Sequence, residues 1–297
     1  MDTTSELTIS VVQMAMSESA AENDARAEQG IRDAAARGAQ LVLLPELYRS
    51  PYFCQTESDE PYALAEPVPG ATTERLADLA RELEVCIVAS LFERRAAGIY
   101  HNTAAVLDPS DGYLGKYRKM HIPDDPRYYE KYYFTPGDLG FRSFDTSVGP
   151  VGVLICWDQW YPEAARLTAL QGAEFLLYPT AIGWHPEEKH VVGTEQQAAW
   201  QMMQRSHAIA NGCFVAAANR VGFEPEPGGS GGIEFFGSSF IAGPDGRLLA
   251  EAPSDAPAVL VATIDRAAIE RQRIGWPFLR DRRIDVYSDL NKRWSDG

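Results

Sequence analysis

The chain contains no uninterrupted apolar run of about 18 residues, so nothing in it reads as a membrane-spanning helix. Its N-terminus, Met1-Asp-Thr-Thr-Ser-Glu6, lacks the basic opening of a secretory leader. Cysteine is scarce. Cys54, Cys86, Cys156 and Cys213 show no C-x-x-C spacing, and two of them fall in strand-like runs, which fits a reduced, cytoplasmic setting better than a disulfide framework. The histidines are equally sparse and scattered, at His101, His121, His185, His190 and His207, so no metal-ligand cluster is expected. Positive charge is also in deficit, with 27 Lys and Arg against 42 Asp and Glu and a net charge of −15. That balance argues against nucleic acid as a partner, since gripping phosphates requires a basic face.

What is present is an ordinary globular composition, 45% hydrophobic and 23% charged, able to bury a large core. A length of 297 residues exceeds the usual domain size but is compatible with one large α/β domain. The expected unit is residues 1–297, with the core at about 7–264 and a C-terminal segment, 265–297, lying against a partner. That segment carries Ile274-Gly-Trp-Pro-Phe-Leu279, apolar residues placed beyond the last expected strand.

Periodicity predicts buried strands at Leu7 to Gln13, Leu41 to Leu44 and Cys86 to Phe92. Helices are expected at Ala20 to Arg37, stopped by Gly38, and at Thr72 to Glu84, with a hairpin around Asp108-Pro-Ser-Asp-Gly112. The second half repeats this order. Gly172-Ala-Glu-Phe-Leu-Leu-Tyr-Pro179 echoes Gly38-Ala-Gln-Leu-Val-Leu-Leu-Pro45, and Cys213-Phe-Val-Ala216 echoes Cys86-Ile-Val-Ala89. The turn Gly243-Pro-Asp-Gly246 matches the first hairpin, and a helix over Thr194 to Asn211 answers the one over Thr72 to Glu84. Segments recurring in one order imply two similar α/β halves, packed most economically as a four-layer αββα sandwich. Gly228-Gly-Ser-Gly-Gly232 reads as a mobile internal loop.

The segment that organises the rest is Val151-Gly-Val-Leu-Ile-Cys-Trp-Asp-Gln-Trp-Tyr-Pro-Glu163. A buried strand breaks at Cys156, and Pro162 with Glu163 suits a helix start, so strand, sharp turn and helix present Cys156 as a nucleophile elbow would. On that segment alone a packing cysteine fits as well. Glu46, directly after a buried Leu-Leu-Pro, and Lys119, directly after the hairpin, read equally as surface charges when taken singly.

Their order narrows the choice. Leu44-Pro-Glu46, Tyr117-Arg-Lys119-Met-His121 and Gly152-Val-Leu-Ile-Cys156-Trp-Asp-Gln-Trp-Tyr-Pro-Glu163 together resemble the Glu-Lys-Cys signature of the nitrilase superfamily of carbon–nitrogen hydrolases, from about Leu7 to Ile264. The stretch from His121-Ile-Pro-Asp-Asp-Pro126 to Thr135-Pro-Gly137, with Cys156-Trp-Asp-Gln-Trp160, is similar to the N-carbamoylputrescine amidase branch. The resemblance implies an αββα sandwich that forms homodimers or larger assemblies. It also implies hydrolysis of a small carbamoylated amine without cofactor or metal, an aliphatic amidase or a carbamoyl-amino-acid hydrolase being the alternatives. A catalytically silent oligomeric scaffold of the same fold is opposed by the presence of all three catalytic residue types.

By that resemblance Cys156 is the nucleophile, Glu46 the general base and acid, Lys119 the cation facing the tetrahedral intermediate, and Glu130 a second glutamate that supports the lysine. Lys119 and the backbone N–H of Trp157 form the expected oxyanion hole. A cysteine–histidine dyad through His121 is the weaker alternative. Loops after the functional strands offer Tyr48, Tyr52, Trp160, Trp184 and His185 as pocket aromatics. The positions after Cys156 carry no arginine but include Asp158, and nearby loops carry Asp124, Asp125, Glu187 and Glu188. Acidic and aromatic groups suit an ammonium tail and would repel a carboxylate.

Overall fold

The structure is a computed structural model that describes residues 6–295. The first half runs β1 (Glu6–Gln13), α1 (Ala20–Ala36), β2 (Leu41–Leu43), α2 (Ala71–Leu83), β3 (Cys86–Ala96), β4 (Ile99–Asp108) and β5 (Gly112–Arg118). After the short α3 (Glu130–Tyr133) come β6 (Ser143–Thr146), β7 (Gly149–Val153), α4 (Pro162–Leu170), β8 (Phe175–Thr180), β9 (Gly183–Trp184), α5 (Lys189–Asn211) and β10 (Phe214–Asn219). The chain closes with β11 (Val221–Pro225), β12 (Gly232–Phe236), β13 (Phe240–Ala242), β14 (Leu248–Glu251), β15 (Ala258–Asp265) and α6 (Ala267–Gly275).

Two six-stranded sheets result, ordered β15-β1-β2-β3-β4-β5 and β6-β7-β8-β10-β13-β14. In each, the second, third and fourth strands run parallel and the rest pair antiparallel, so the two halves have one topology. The internal echoes fall on matching strands, β2 with β8 and β3 with β10. Alternation along the strands sends Leu7, Ile9, Val11, Leu41, Leu43 and Val88 into a core shared with Phe175, Leu177, Val215 and Ala217 of the other sheet. The opposite faces of the first sheet, including Val12, Val42 and Ile87, pack on Ile31 of α1 and Leu76 and Ala80 of α2. The second sheet is covered by α4 and α5 through Ala164, Ala165, Trp200 and Ala208. Each such large apolar side chain contributes roughly 1.5–3 kcal/mol on burial, which is what makes the four layers cohere. The expected αββα sandwich is observed.

Helix starts follow local chemistry. The Ser19 side chain accepts from the Glu22 N–H at the start of α1, and Pro162 occupies the first turn of α4. One expectation needs correction. Helix α5 begins at Lys189 rather than Thr194, because Gly193 is a packing position and not a breaker: its carbonyl accepts from Trp184 Nε1, and a side chain there would crowd that indole. The glycine-rich stretch is an internal loop, the turn of the β11–β12 hairpin, in which the Glu226 N–H donates to the Gly231 carbonyl. Ile274 lies beyond the last strand, in the last turn of α6. No helix among the described residues is long and apolar enough to cross a membrane, and all four cysteines are buried and unpaired.

Candidate active site

Four strand ends and one short helix bring the charged residues together. After β2 the chain stays buried through Leu44 and Pro45, places Glu46 in the interior, and turns at Leu47 in the left-handed region with φ 49°. The Glu46 N–H donates to the Thr180 carbonyl at the end of β8, so matching strand ends of the two halves meet at this point. Asn102, midway along β4, donates from Nδ2 to Glu46 Oε1 at 2.6 Å, and Lys119 Nζ reaches the same oxygen at 2.8 Å. Lys119 follows β5 directly. Its N–H donates to the Asn102 carbonyl, and its own carbonyl accepts from Gly137. Gly137 is required by that approach, since a Cβ there would lie 2.1 Å from the Arg118 carbonyl oxygen.

Glu130 opens α3 and accepts from Lys119 Nζ at 2.6 Å and from the Tyr52 hydroxyl at 2.6 Å. All three charged side chains are shut off from solvent. Two carboxylates around one ammonium leave an excess negative charge in a dry space, and the titration behaviour follows. Burial, with repulsion from Glu46, raises the Glu130 pKa to about 7 against the pull of Lys119. Burial acts to lower the Lys119 pKa, but Glu130 and Glu46 outweigh it and hold the ammonium well above its usual range. The other oxygen of Glu46, Oε2, is buried and has no hydrogen-bond partner.

Cys156 follows β7 by two extended, buried residues and opens a single 3₁₀ turn, Cys156–Trp160, before α4. Its φ of 43° is left-handed, a conformation that costs a non-glycine residue energy and is retained where the surroundings impose it. Asp158 is what imposes it. Its carboxylate accepts from the N–H groups of Ile155 and His121, from the Tyr117 hydroxyl at 2.8 Å, and pairs with His121 Nδ1 at 2.7 Å. The Cys156 Sγ points to the Ala181 carbonyl at 3.6 Å. Burial and then Glu46 push its thiol well above the ordinary pKa, and Lys119 pulls it back.

Beside the sulfur opens a cavity of about 650 Å³, lined among others by Trp157, Trp160, Tyr128, His185, Phe236 and Asp125. Of the residues expected here, the structure brings Glu46, Lys119, Glu130 and Cys156 into one cluster and sets Asp125, Trp157, Trp160, His185, Glu187 and Glu188 around the cavity. Tyr52, Asp158, Trp184 and Tyr48 do not line it. Tyr52 is spent on Glu130, Asp158 on the elbow, and Trp184 on Gly193 and the Phe236 ring. Tyr48 is buried beneath the first sheet's helices, and Asp124 pairs with Lys131 outside the cavity. His121 stacks on Tyr161 at 3.6 Å and bonds Asp158, so it forms no dyad with Cys156.

Sequence reading missed Asn102, Arg127, Tyr128 and Arg220. Arg220 is fully buried, donates to the carbonyls of Glu46, Leu47 and Ser50, and pairs with Glu224 at 2.8 Å, fixing the loop that carries Glu46. It stands just past the end of β10, so the strand-edge argument that selected Glu46 and Cys156 also points to it. Asn102 had a signal in His101-Asn-Thr103, three polar residues within an otherwise apolar strand.

The family model described as carbon-nitrogen hydrolase matches residues 8–274. The chain belongs to the carbon-nitrogen hydrolase family. Over 288 residues, 96% of this chain and 94% of the relative, it is 46% identical to the N-carbamoylputrescine amidase of Solanum lycopersicum. It is 40% identical over 287 residues to the citrullinase of Francisella tularensis subsp. tularensis, covering 96% of this chain and 98% of that one. Among solved structures, a carbon-nitrogen hydrolase from Helicobacter pylori G27 superposes with a TM-score of 0.94 at 47% identity, over 98% of this chain and all of the other. In this hydrolase the fold read from the internal repeat and the fold of its structural relatives are the same.

Proposed function

We propose that the protein hydrolyses the ureido group of an N-carbamoyl amine, preferring N-carbamoylputrescine or a close carbamoylated diamine. Cys156 is the nucleophile, Glu46 the base and acid, and Lys119 the cation at the oxyanion. The observation that carries this reading is a buried carboxylate oxygen, Glu46 Oε2, left without a hydrogen-bond partner in the same buried cluster as Lys119 and the Cys156 thiol. A thiol of raised pKa is a poor nucleophile until a base takes its proton, and Glu46 is the charge it feels most strongly.

The steps balance around that pair. Sγ attacks the ureido carbon while its proton passes to Glu46. The charge that builds on oxygen is met by Lys119, which Glu130 and Glu46 keep protonated, and by the Trp157 N–H at the elbow. Glu46 returns the proton to the departing nitrogen, leaving a thiocarbamoyl enzyme. Water then gives its proton to Glu46 and attacks the same carbon, the thiolate leaves and takes that proton back, and the carbamic acid released breaks its remaining carbon–nitrogen bond to give ammonia and carbon dioxide beside the amine. Glu130, held by Tyr52, orients Lys119.

Substrate choice rests on the cavity's charge. Asp125 and Glu188 line it without an ion-pair partner among the described residues, and with Trp157 and Trp160 they suit an ammonium tail. The amidase relatives act, by their names, on that kind of substrate. Ammonia release from carbamoylated diamines, carbamoyl-β-alanine and simple aliphatic amides tests the reading. N-carbamoylputrescine should exceed carbamoyl-β-alanine by at least ~10-fold in kcat/KM, about 1.4 kcal/mol. Equal values, or a preference for the carboxylate substrate, would overturn it.

The chain acts as one catalytic unit, at least dimeric. Large apolar side chains stand exposed on α4 and α5 (Leu167, Leu170, Val191, Met202) and along the C-terminal segment (Trp276, Ile284, Trp294), more than an isolated chain ordinarily shows to water. Its four unpaired cysteines suit a reducing, cytoplasmic setting.

A further inference from the structure

Among the described residues that line the cavity, Arg127 is the only one with a fixed positive charge, and it is already taken. Its Nη1 donates to Glu187 Oε1 at 2.9 Å and lies 3.1 Å from His185 Nδ1, while Nε donates to Glu226 Oε2 at 3.3 Å. The backbone at Arg127 is left-handed, with φ 60°, which aims the side chain across the cavity mouth toward the β11–β12 turn. There the guanidinium covers Gly231 so closely that a Cβ would collide with it. The cavity therefore offers two free carboxylates, Asp125 and Glu188, and one cation whose charge is matched by two more carboxylates through its Nε and Nη1.

We propose that Glu187 and Glu226 determine specificity by masking Arg127, so that the site refuses a ureido substrate bearing a carboxylate beside its amine. This rests on the ureido reading given above. N-carbamoylputrescine and citrulline share the ureido end and the amine, and differ by one carboxylate on the carbon that bears the amine. A planar guanidinium in the cavity is the natural partner of such a carboxylate, but only when its own donors are free. A cavity that holds a cation and yet neutralises it discriminates against the acid twice, through the two carboxylates that already match the guanidinium's charge and through the two remaining negative charges.

The test uses the full-length enzyme with N-carbamoylputrescine and citrulline as substrates, comparing wild type, the E187Q/E226Q double variant and the same pair combined with R127Q. The double variant should raise the citrulline to N-carbamoylputrescine ratio of kcat/KM by at least ~10-fold, the size expected when the guanidinium forms one new charge-assisted hydrogen bond to the substrate. Adding R127Q should abolish that rise, because removing negative charge alone does not supply a partner for the carboxylate. Each single variant, E187Q or E226Q, should give a smaller change in the same direction, which keeps the test decisive if the double variant folds poorly. An unmoved ratio, or a rise that survives R127Q, overturns the inference while leaving the ureido reading intact. A wild-type enzyme inactive on N-carbamoylputrescine overturns the ureido reading and this inference with it.

Discussion

Glu46 and Lys119 share one hydrogen bond and Glu46 acts electrostatically on the Cys156 thiol, so in the proposed reaction the three side chains work as one device rather than as separate contributors. Glu46→Gln and Lys119→Ala should each lower kcat by about two orders of magnitude or more, and the double variant should be scarcely worse than the poorer single one. Additive losses in a steady-state comparison would show that the residues do not serve one site. At this scale the sequence was legible where a residue's position follows from its place in the chain: Glu46, Lys119 and Cys156 each follow a strand. It was illegible where the role depends on which way a side chain turns. Asp158 and Trp184 were expected to face the substrate, yet Asp158 turns back onto the Ile155 N–H of its own elbow and onto the His121 N–H and Tyr117 hydroxyl flanking Lys119, and Trp184 turns toward α5. Tyr52 likewise comes to the site, but from behind, through Glu130.

The strand that delivers Lys119 is held by a buried ion network one residue earlier. Glu93 on β3 accepts from Arg118 on β5 at 2.7 and 2.9 Å, from Lys116, and from the Thr103 hydroxyl on β4 at 2.6 Å. Burial would raise the Glu93 pKa, but these partners overcome it and hold the carboxyl down at about 2. A carboxylate whose pKa is lower folded than unfolded stabilises the fold above the unfolded value of about 4.3, and loses that contribution as pH falls toward 2. Glu93→Gln should therefore cost ~3 kcal/mol at neutral pH by leaving Arg118 short of a buried partner, and the gap to wild type should close between about pH 4.5 and pH 2. Urea denaturation at several pH values checks this, and a gap that stays constant with pH would refute it. Periodicity showed where β3 begins and turn residues marked the hairpin that leads into β5, since both are local signals. It could not show this network, which requires knowing that β4 lies between them.

The whole molecule repeats its plan at the level of sheets, and the repeat was visible in the sequence because equivalent strands keep equivalent burial. What a single chain could not reveal is its own unburied surface, and the structure shows apolar side chains exposed on α4, α5 and the C-terminal segment. Light scattering at micromolar concentration should report at least a dimer, and truncation after Asp265 should weaken association; a monomeric full-length protein would contradict this. The central claim, however, is covalent chemistry at the buried Cys156 thiol. The most direct measurement is peptide mass spectrometry of enzyme quenched during turnover of N-carbamoylputrescine. A thiocarbamoyl adduct is expected on Cys156 alone, absent from a folded and inactive Cys156→Ala enzyme. An adduct on Cys54, Cys86 or Cys213, or turnover by Cys156→Ala, would contradict it.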